Sequence, residues 1–196
     1  MSNPTSRLQR FGVKLFLEPS ITASPQTCIR TFHRWIQTSA IDGLLIDVAD
    51  YSHLVDGPHV LLVTHEGNYA VDVAESRLGL IYTQKQPREE PLIDRLMWAC
   101  RSVVKASCLL EQDSTFNPCL TFRGNEIQFV ANDRLLAPNT TETAKSIESI
   151  LDNFAHKLFG GEEYEIVLNL ECSDRFTANL IAKSFSSLSE LRERMA

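Results

Sequence analysis

The sequence predicts an α+β protein with a mixed, largely antiparallel sheet of about seven to eight strands packed with four helices. Segments of strand type are more numerous than amphipathic helical segments. Several strands follow one another with only turn residues between them, as antiparallel neighbours require. The predicted order, β-α-β-β-β-β-α-β-β-α-β-α, also lacks the strict alternation of a doubly wound parallel sheet.

The first two elements are a strand and a helix. Residues 13–17 place Val13, Leu15 and Leu17 on one face of a strand that ends before Pro19. Ser24 then supplies an N-cap, with a proline at the first helical position. The helix continues to about residue 39 with an apolar arc on one side.

The next segments predict a run of strands. Residues 44–48 fit either a buried strand or a short helix, because periodicity cannot separate the two over so few positions; the strand is favoured. After the turn at residues 56–58, residues 60–63 form a continuous apolar run typical of a strand covered on both faces. Residues 69–73 and 78–82 complete a predicted meander.

The middle of the chain predicts a long helix followed by a hairpin. Pro91 opens the helix, which continues to about Leu110. The apolar pairs at 120/122 and 127/129 flank the turn-like residues 123–125, which predicts two strands joined by a tight turn.

The last quarter predicts a helix, a strand and a final helix. Asn139 with Glu142 resembles a capping box, and Gly160–Gly161 ends the helix that follows. Residues 163–170 alternate as a strand with one face towards solvent. Asp174 is predicted to cap the final helix, whose apolar residues are Ile181, Phe185, Leu188 and Leu191.

Length and charge predict one domain over residues 12–196, preceded by a disordered-like terminus at 1–11. The chain has 196 residues and a net charge of -6, without the basic block that nucleic-acid binding requires, so no nucleic-acid partner is expected. No apolar run approaches the ~18 residues of a membrane span, so neither a membrane partner nor a location outside the cytoplasm is expected.

The cysteines predict free, reduced thiols. Their number is odd and no C-x-x-C pair is present, which argues against both a zinc site and a redox couple. A reducing cytosol and buried, inert thiols are therefore expected at all five positions: Cys28, Cys100, Cys108, Cys119 and Cys172.

Three sequence segments suggest a relationship. They are FHRWIQ at residues 32–37, DGLLIDVADY at 42–51 and DGP at 56–58. In these segments the chain resembles a set of uncharacterised bacterial proteins, over roughly residues 12–110. The resemblance implies a bacterial cytosolic protein, and it brings no activity, cofactor or site residue with it.

The densest polar cluster offers a catalytic hypothesis. Asp47, Asp50 and His53 would converge as metal ligands if their segment were helical or tightly looped, with His65 or Glu66 as a general base. This arrangement would suit a metal-assisted hydrolase. The favoured alternative is a solvated connection whose acids accept hydrogen bonds from backbone amides.

Two helices offer non-catalytic hypotheses. His33 and Trp35 could border a small-molecule pocket on the first helix. On the long helix, Trp98 falls in the polar arc with Arg95, Arg101 and Lys105. The two arginines could stack on the indole, and Trp and Arg are enriched at interface hot spots. These four residues are the predicted protein interface. The alternatives are a tryptophan shielded by arginine stems and a helix sandwiched in the core.

The sequence thus favours a non-enzymatic protein-interaction module that acts as a homodimer or with another protein partner, and it predicts no cofactor. The alternatives are the metal-assisted hydrolase and a small-molecule-binding protein.

Overall fold

The computed structural model describes residues 7–170, 174–184 and 187–195. It confirms the α+β class, with four helices and an eight-stranded sheet. In chain order the elements are β1 (Phe11–Leu17), α1 (Pro25–Thr38), β2 (Leu45–Asp50), β3 (Pro58–Thr64), β4 (Gly67–Asp72), β5 (Gly79–Gln84), α2 (Leu92–Glu111), β6 (Phe122–Ala131), α3 (Thr141–Phe159), β7 (Tyr164–Asn169), β8 (Thr177–Ala182) and α4 (Leu188–Arg194).

The strands form one sheet in the order β2-β3-β4-β5-β1-β6-β8-β7, and every neighbouring pair is antiparallel. The predicted meander is confirmed as β3–β4–β5, and it extends back to β2. β1 lies at the centre, between β5 and β6, while β2 and β7 are the two edges.

The main core lies between the sheet and the helices. Alternate side chains of each central strand enter it, such as Val13 and Leu15 of β1. All four helices contribute to the same core, for example through Phe32, Leu96, Phe154 and Leu191. Within the described residues, no helix combines the length and apolar character needed to cross a membrane.

The opposite face of the sheet carries a polar network. The Lys14 ammonium lies 2.5 Å from the Asp72 carboxylate, and both side chains are buried. Burial lowers the pKa of Lys14, and the neighbouring Asp72 opposes that shift. Two N–H groups of Arg77 donate to Glu126 at 2.7 Å each, and Arg123 lies 2.7 Å from the same carboxylate. These pairs tie β1 to β4, and the β4–β5 connection to β6.

The predicted hairpin around residues 123–125 is wrong. β6 is one continuous strand that pairs with β1 on one side and β8 on the other. Arg123 is held by its ion pair with Glu126. The register with β1 shifts between Leu15, opposite Ile127, and Leu17, opposite Phe122, so residues 123–126 form an irregularity within one strand and not a turn between two strands.

The predicted final helix is also wrong over most of its length. Thr177–Ala182 is strand β8, in which Ala178 and Leu180 are buried with the period of two that a strand requires. The helix begins at Leu188, where Ser187 and Glu190 form a capping box. Ile181 therefore belongs to a strand, and Phe185 lies outside the described residues.

Several smaller predictions are corrected. Leu8 and Phe11 are fully buried, so the predicted disordered-like segment at 1–11 is too long. Thr140, not Asn139, caps α3, because its hydroxyl accepts from the Thr143 N–H at 3.3 Å. The β3 run is not covered equally on both faces, since Leu62 is fully buried but Leu61 is half-buried.

Residues 44–48 are predicted to form a buried strand; residues 45–48 do belong to a strand, but it lies at the edge of the sheet and is not buried. β2 is an edge strand and is largely half-buried or exposed, because only β3 pairs with it. The register with β3 shifts between Leu45 and Asp47, which leaves Ile46 as an extra, bulged residue.

The described cysteines are free. Cys28, Cys100 and Cys108 are buried as predicted, whereas Cys119 is exposed, so the prediction of burial at all five positions is wrong. Cys172 lies outside the described residues.

Candidate functional site

The predicted metal trio does not assemble. Asp47 and Asp50 lie three residues apart on one strand, so their side chains point to opposite faces of the sheet. Each accepts a hydrogen bond from a nearby backbone N–H, Asp47 from Val48 at 2.8 Å and Asp50 from Ser52 at 2.9 Å. The bonds from Ser52 lower the pKa of Asp50. Both acids therefore accept hydrogen bonds from the backbone. The favoured alternative predicts this role for the acids of residues 50–56 in a connection, and Asp50 has it at the end of strand β2.

His53 does not complete a metal site either; its ring lies 6.4 Å from that of Tyr51. Across the described ranges 7–170, 174–184 and 187–195, no three His, Cys, Asp or Glu side chains come together in a group that could hold a metal ion. The prediction that Asp47, Asp50 and His53 converge as metal ligands is therefore wrong.

His33 and Trp35 do not share a pocket. Two residues apart on a helix, their side chains point about 200° apart. Trp35 is buried and its ring packs 5.2 Å from that of Phe32, whereas His33 is exposed. The predicted small-molecule pocket on α1 is wrong for this reason.

Arg95 does not belong to a surface on α2. It is 2% exposed, and its guanidinium donates to the Leu8 carbonyl at 2.6 Å, the Glu90 carbonyl at 2.9 Å and the Gln9 amide oxygen at 3.0 Å. Its role is to join the N-terminal segment to α2. Arg101 and Lys105 are exposed, as predicted.

Trp98 is half-buried inside the chain and does not project from it. The guanidinium over its indole belongs to Arg88, at 4.4 Å from the ring centroid, and not to Arg95 or Arg101. The ring of Tyr82 meets the indole edge-on at 5.4 Å. The polar arc of α2 therefore packs partly against the sheet, and Trp98 is not a free interface anchor.

Trp98 lines a cavity of about 210 Å³. The cavity is surrounded by the connection that precedes β2, the turn between β3 and β4, strands β4 and β5, and one side of α2. Three aromatic and three charged residues give it its character: Tyr69, Tyr82, Trp98, Asp42, Glu66 and Lys105.

The β3–β4 turn places Glu66 at this cavity. The Thr64 hydroxyl donates to the Gly67 carbonyl at 2.5 Å and accepts from the Gly67 N–H at 3.2 Å, which closes the turn around His65 and Glu66. Gly43 has a φ of +97°, and a Cβ there would lie 2.8 Å from a Glu66 carboxylate oxygen. Glycine therefore allows the carboxylate to approach this backbone.

Two tyrosines form the floor of the cavity. Their rings meet edge-on at 4.9 Å. Gly67 lies against the Tyr82 hydroxyl, where any Cβ would clash. That hydroxyl is buried and has no hydrogen-bond partner within the part of the chain that the structure describes. Burial raises the pKa of Tyr69 to about 12 and also raises that of Tyr82, so both phenols are neutral at neutral pH.

Of the predicted base candidates, Glu66 lines this cavity, while His65 is exposed beside it. The cavity also takes Trp98 and Lys105 from the predicted interface. Tyr69 and Tyr82 were missed as site residues, because strand alternation assigns both simply to the core.

A second feature is an apolar strip along the β2 edge, which we define as residues 44–55. Eight large apolar residues are exposed in the described chain, and five of them lie in this strip. Their exposure ranges from 41% to 98%, and they are Leu44, Ile46, Tyr51, Leu54 and Val55. The strip thus holds most of the exposed large apolar side chains of the described residues, and exposed apolar surface is typical of interaction sites.

The strip is also acidic. From Trp35 to Ser76 the sequence has no lysine or arginine. Asp47, Asp50 and Asp56 are exposed within or beside the strip. The surface therefore combines apolar and negative groups.

A basic groove lies next to the strip, which we define as Arg101, Val104, Lys105, Arg192 and Met195. It encloses about 380 Å³ between α2 and the end of α4. Lys105 lies 2.7 Å from Asp42, two residues before the strip, so the two surfaces adjoin.

Comparison of the chain with protein-family models, with curated proteins and with solved structures finds no match.

Proposed function

We propose that this chain is a non-enzymatic protein-interaction module of the bacterial cytosol that acts as a homodimer. The observation that carries the proposal is the concentration of exposed apolar side chains in the strip at residues 44–55. An exposed apolar edge strand is a surface on which another chain can associate. The three buried free thiols are those expected in a reducing compartment.

Charge complementarity favours a second copy of the same chain as the partner. The strip is apolar and negative, while the groove is apolar and positive. Complementary potentials steer association and select the partner. Each copy therefore carries both halves of a matched pair of surfaces.

The adjacency of the two surfaces favours a closed dimer. In a two-fold interface, residue i contacts residue j and residue j contacts residue i. Because the strip and the groove meet at the Asp42–Lys105 ion pair, one two-fold axis near that pair would seat each strip on the other copy's groove. The bulge at Ile46 interrupts the pairing edge, so side chains rather than a continued sheet make the contact.

Light scattering across a dilution series tests the proposal with Ile46→Lys, which places a charge in the apolar strip. We expect the dissociation constant to rise at least tenfold, because a central interface residue contributes about 2 kcal/mol or more. Arg101→Glu should weaken the dimer from the other side, because it removes the charge match.

The matched control is Val167→Lys, the same kind of change at a similarly exposed residue of the opposite edge strand, β7. It should leave the dimer unchanged. A wild-type monomer at about 100 µM, or equal weakening by both lysine variants, would contradict the proposal.

A further inference from the structure

We propose that the cavity beside Trp98 binds a small organic cation, an alkylammonium or guanidinium group, between its aromatic walls and the Glu66 carboxylate. The cavity shares Lys105 with the basic groove of the proposed dimer, and a Glu66 variant distinguishes the two proposals because Glu66 lines only the cavity.

The charges lining the cavity leave one carboxylate for a ligand. Lys105 and Asp42 pair with each other at 2.7 Å, and both are largely exposed at the rim. Glu66 is half-buried and makes no side-chain hydrogen bond or ion pair with any residue in the described ranges. The Lys85 ammonium, beside the same turn, donates to the Thr64 carbonyl at 2.7 Å, so the Glu66 carboxylate is open to a ligand cation.

The walls of the cavity suit a cation. Tyr69, Tyr82 and Trp98 line the same cavity as Glu66. Aromatic faces attract desolvated ammonium and guanidinium groups, and such cages are used to bind organic cations. Trp98 already accepts the Arg88 guanidinium at 4.4 Å, although Arg88 does not line the cavity and pairs with Glu90.

A buried hydroxyl gives the site an independent polar group. Tyr82 is 1% exposed, lines the cavity and has no hydrogen-bond partner for its hydroxyl among the described residues. A buried polar group without a partner is costly, and a ligand oxygen or nitrogen can satisfy it. The Tyr82 hydroxyl and Glu66 thus offer two separate polar contacts to one small molecule.

The volume limits the ligand to a small one. About 210 Å³ is below the range of roughly 300–1,000 Å³ typical of sites for drug-sized ligands. At about 30 Å³ for each water-sized group, it holds on the order of seven such groups. A short alkylammonium fits this limit.

Titration calorimetry on the full chain tests the proposal with three probes of matched size: n-butylammonium, neutral 1-butanol and anionic butyrate. We expect saturable binding of n-butylammonium in the millimolar range or tighter, and at least tenfold weaker binding of the other two, because each lacks the positive charge. Tryptophan fluorescence in a Trp35→Phe background reports the same event at Trp98.

Glu66→Gln should weaken n-butylammonium binding at least tenfold while leaving the fold unchanged by circular dichroism. Glu165→Gln, the same change at an exposed position of β7, should have no effect. Tighter binding of butyrate, equal binding of 1-butanol, no binding at about 10 mM, or full binding by Glu66→Gln would each overturn the proposal.

Light scattering of Glu66→Gln separates this site from the proposed function. We expect this variant to dimerise like the wild type, because Glu66 lies outside the strip and the groove. Loss of cation binding with an intact dimer supports the cation site without bearing on the dimer. Loss of both would contradict the claim that Glu66 serves the cavity and not the dimer contact.

Discussion

The two halves of the molecule repeat one arrangement and differ in what is added to it. In the N-terminal half, β1 is followed by α1, strands that return to β1, and α2; in the C-terminal half, β6 is followed by α3, strands that return to β6, and α4. α2 packs on β1 and β5, and α4 packs on β6. The N-terminal half has four returning strands, whereas the C-terminal half has two.

The difference shows where the distinctive chemistry arises. The longer N-terminal meander carries the cavity, the acidic apolar strip and the buried Lys14–Asp72 pair. In the C-terminal half, the groove between α3 and β7 has a volume of about 720 Å³ and no aromatic residue in its lining. The shared arrangement builds the core and the basic groove between α2 and α4, while the strip and much of the cavity lie on the longer meander.

The largest predicted effect is a contrast in thiol reactivity between the core and the connection joining the halves. Burial raises the pKa of Cys28 and Cys100 to about 12, so at pH 8 only about 10⁻⁴ of each is thiolate. Exposed Cys119, in the connection, should react with iodoacetamide more than about a thousandfold faster. Peptide mass spectrometry over time measures these rates, and rates within tenfold of each other would contradict the packing of α1 and α2.

The next effect tests whether the halves share one core. Phe129 of β6 is fully buried, with its ring 6.2 Å from that of Phe11 in β1. Phe129→Ala should cost about 3–5 kcal/mol of unfolding free energy in a single urea transition. Exposed Val167→Ala should change it by less than about 0.5 kcal/mol. Two separate transitions for the wild type would show that the halves unfold independently.

A smaller effect is expected from the buried ion pair of the N-terminal half. Asp72→Ala leaves the Lys14 ammonium buried without its carboxylate partner. We expect the free energy of unfolding to fall by about 3 kcal/mol, the low end of the range for breaking a buried ion pair. The low end applies because Lys14 also donates to the Ala74 carbonyl at 3.3 Å. Adding Lys14→Met should recover at least half of that loss, because no buried charge remains. Urea unfolding of both variants measures this, and a double variant less stable than the single one would contradict the account.

Much of the fold follows from local sequence patterns. Pro25 and Pro91 mark the starts of α1 and α2, and Gly160 marks the end of α3. These signals act within one or two turns of the chain, which is why sequence alone locates them. The hairpin at 123–125 failed because the partners of β6 are distant in sequence, on β1 and β8.

The candidate site was much less predictable. Glu66, Trp98 and Lys105 were singled out, but for two unrelated hypotheses, and Tyr69 and Tyr82 were not. The cavity forms where four separate stretches of the chain meet, residues 41–43, 64–69, 82 and 98–105, and no local pattern encodes that meeting. Likewise, an apolar run such as 44–48 does not reveal that its strand lies at an edge.

The most direct test of the homodimer is hydrogen exchange of the two edge strands at different protein concentrations. Because the strip at residues 44–55 is proposed to be covered by a second copy, its amides should exchange more slowly at about 100 µM than at about 1 µM. Residues 164–169 of β7 should exchange at the same rate at both concentrations. The central claim is that a second copy covers residues 44–55. Equal exchange of these residues at both concentrations would contradict it, whether or not β7 becomes protected.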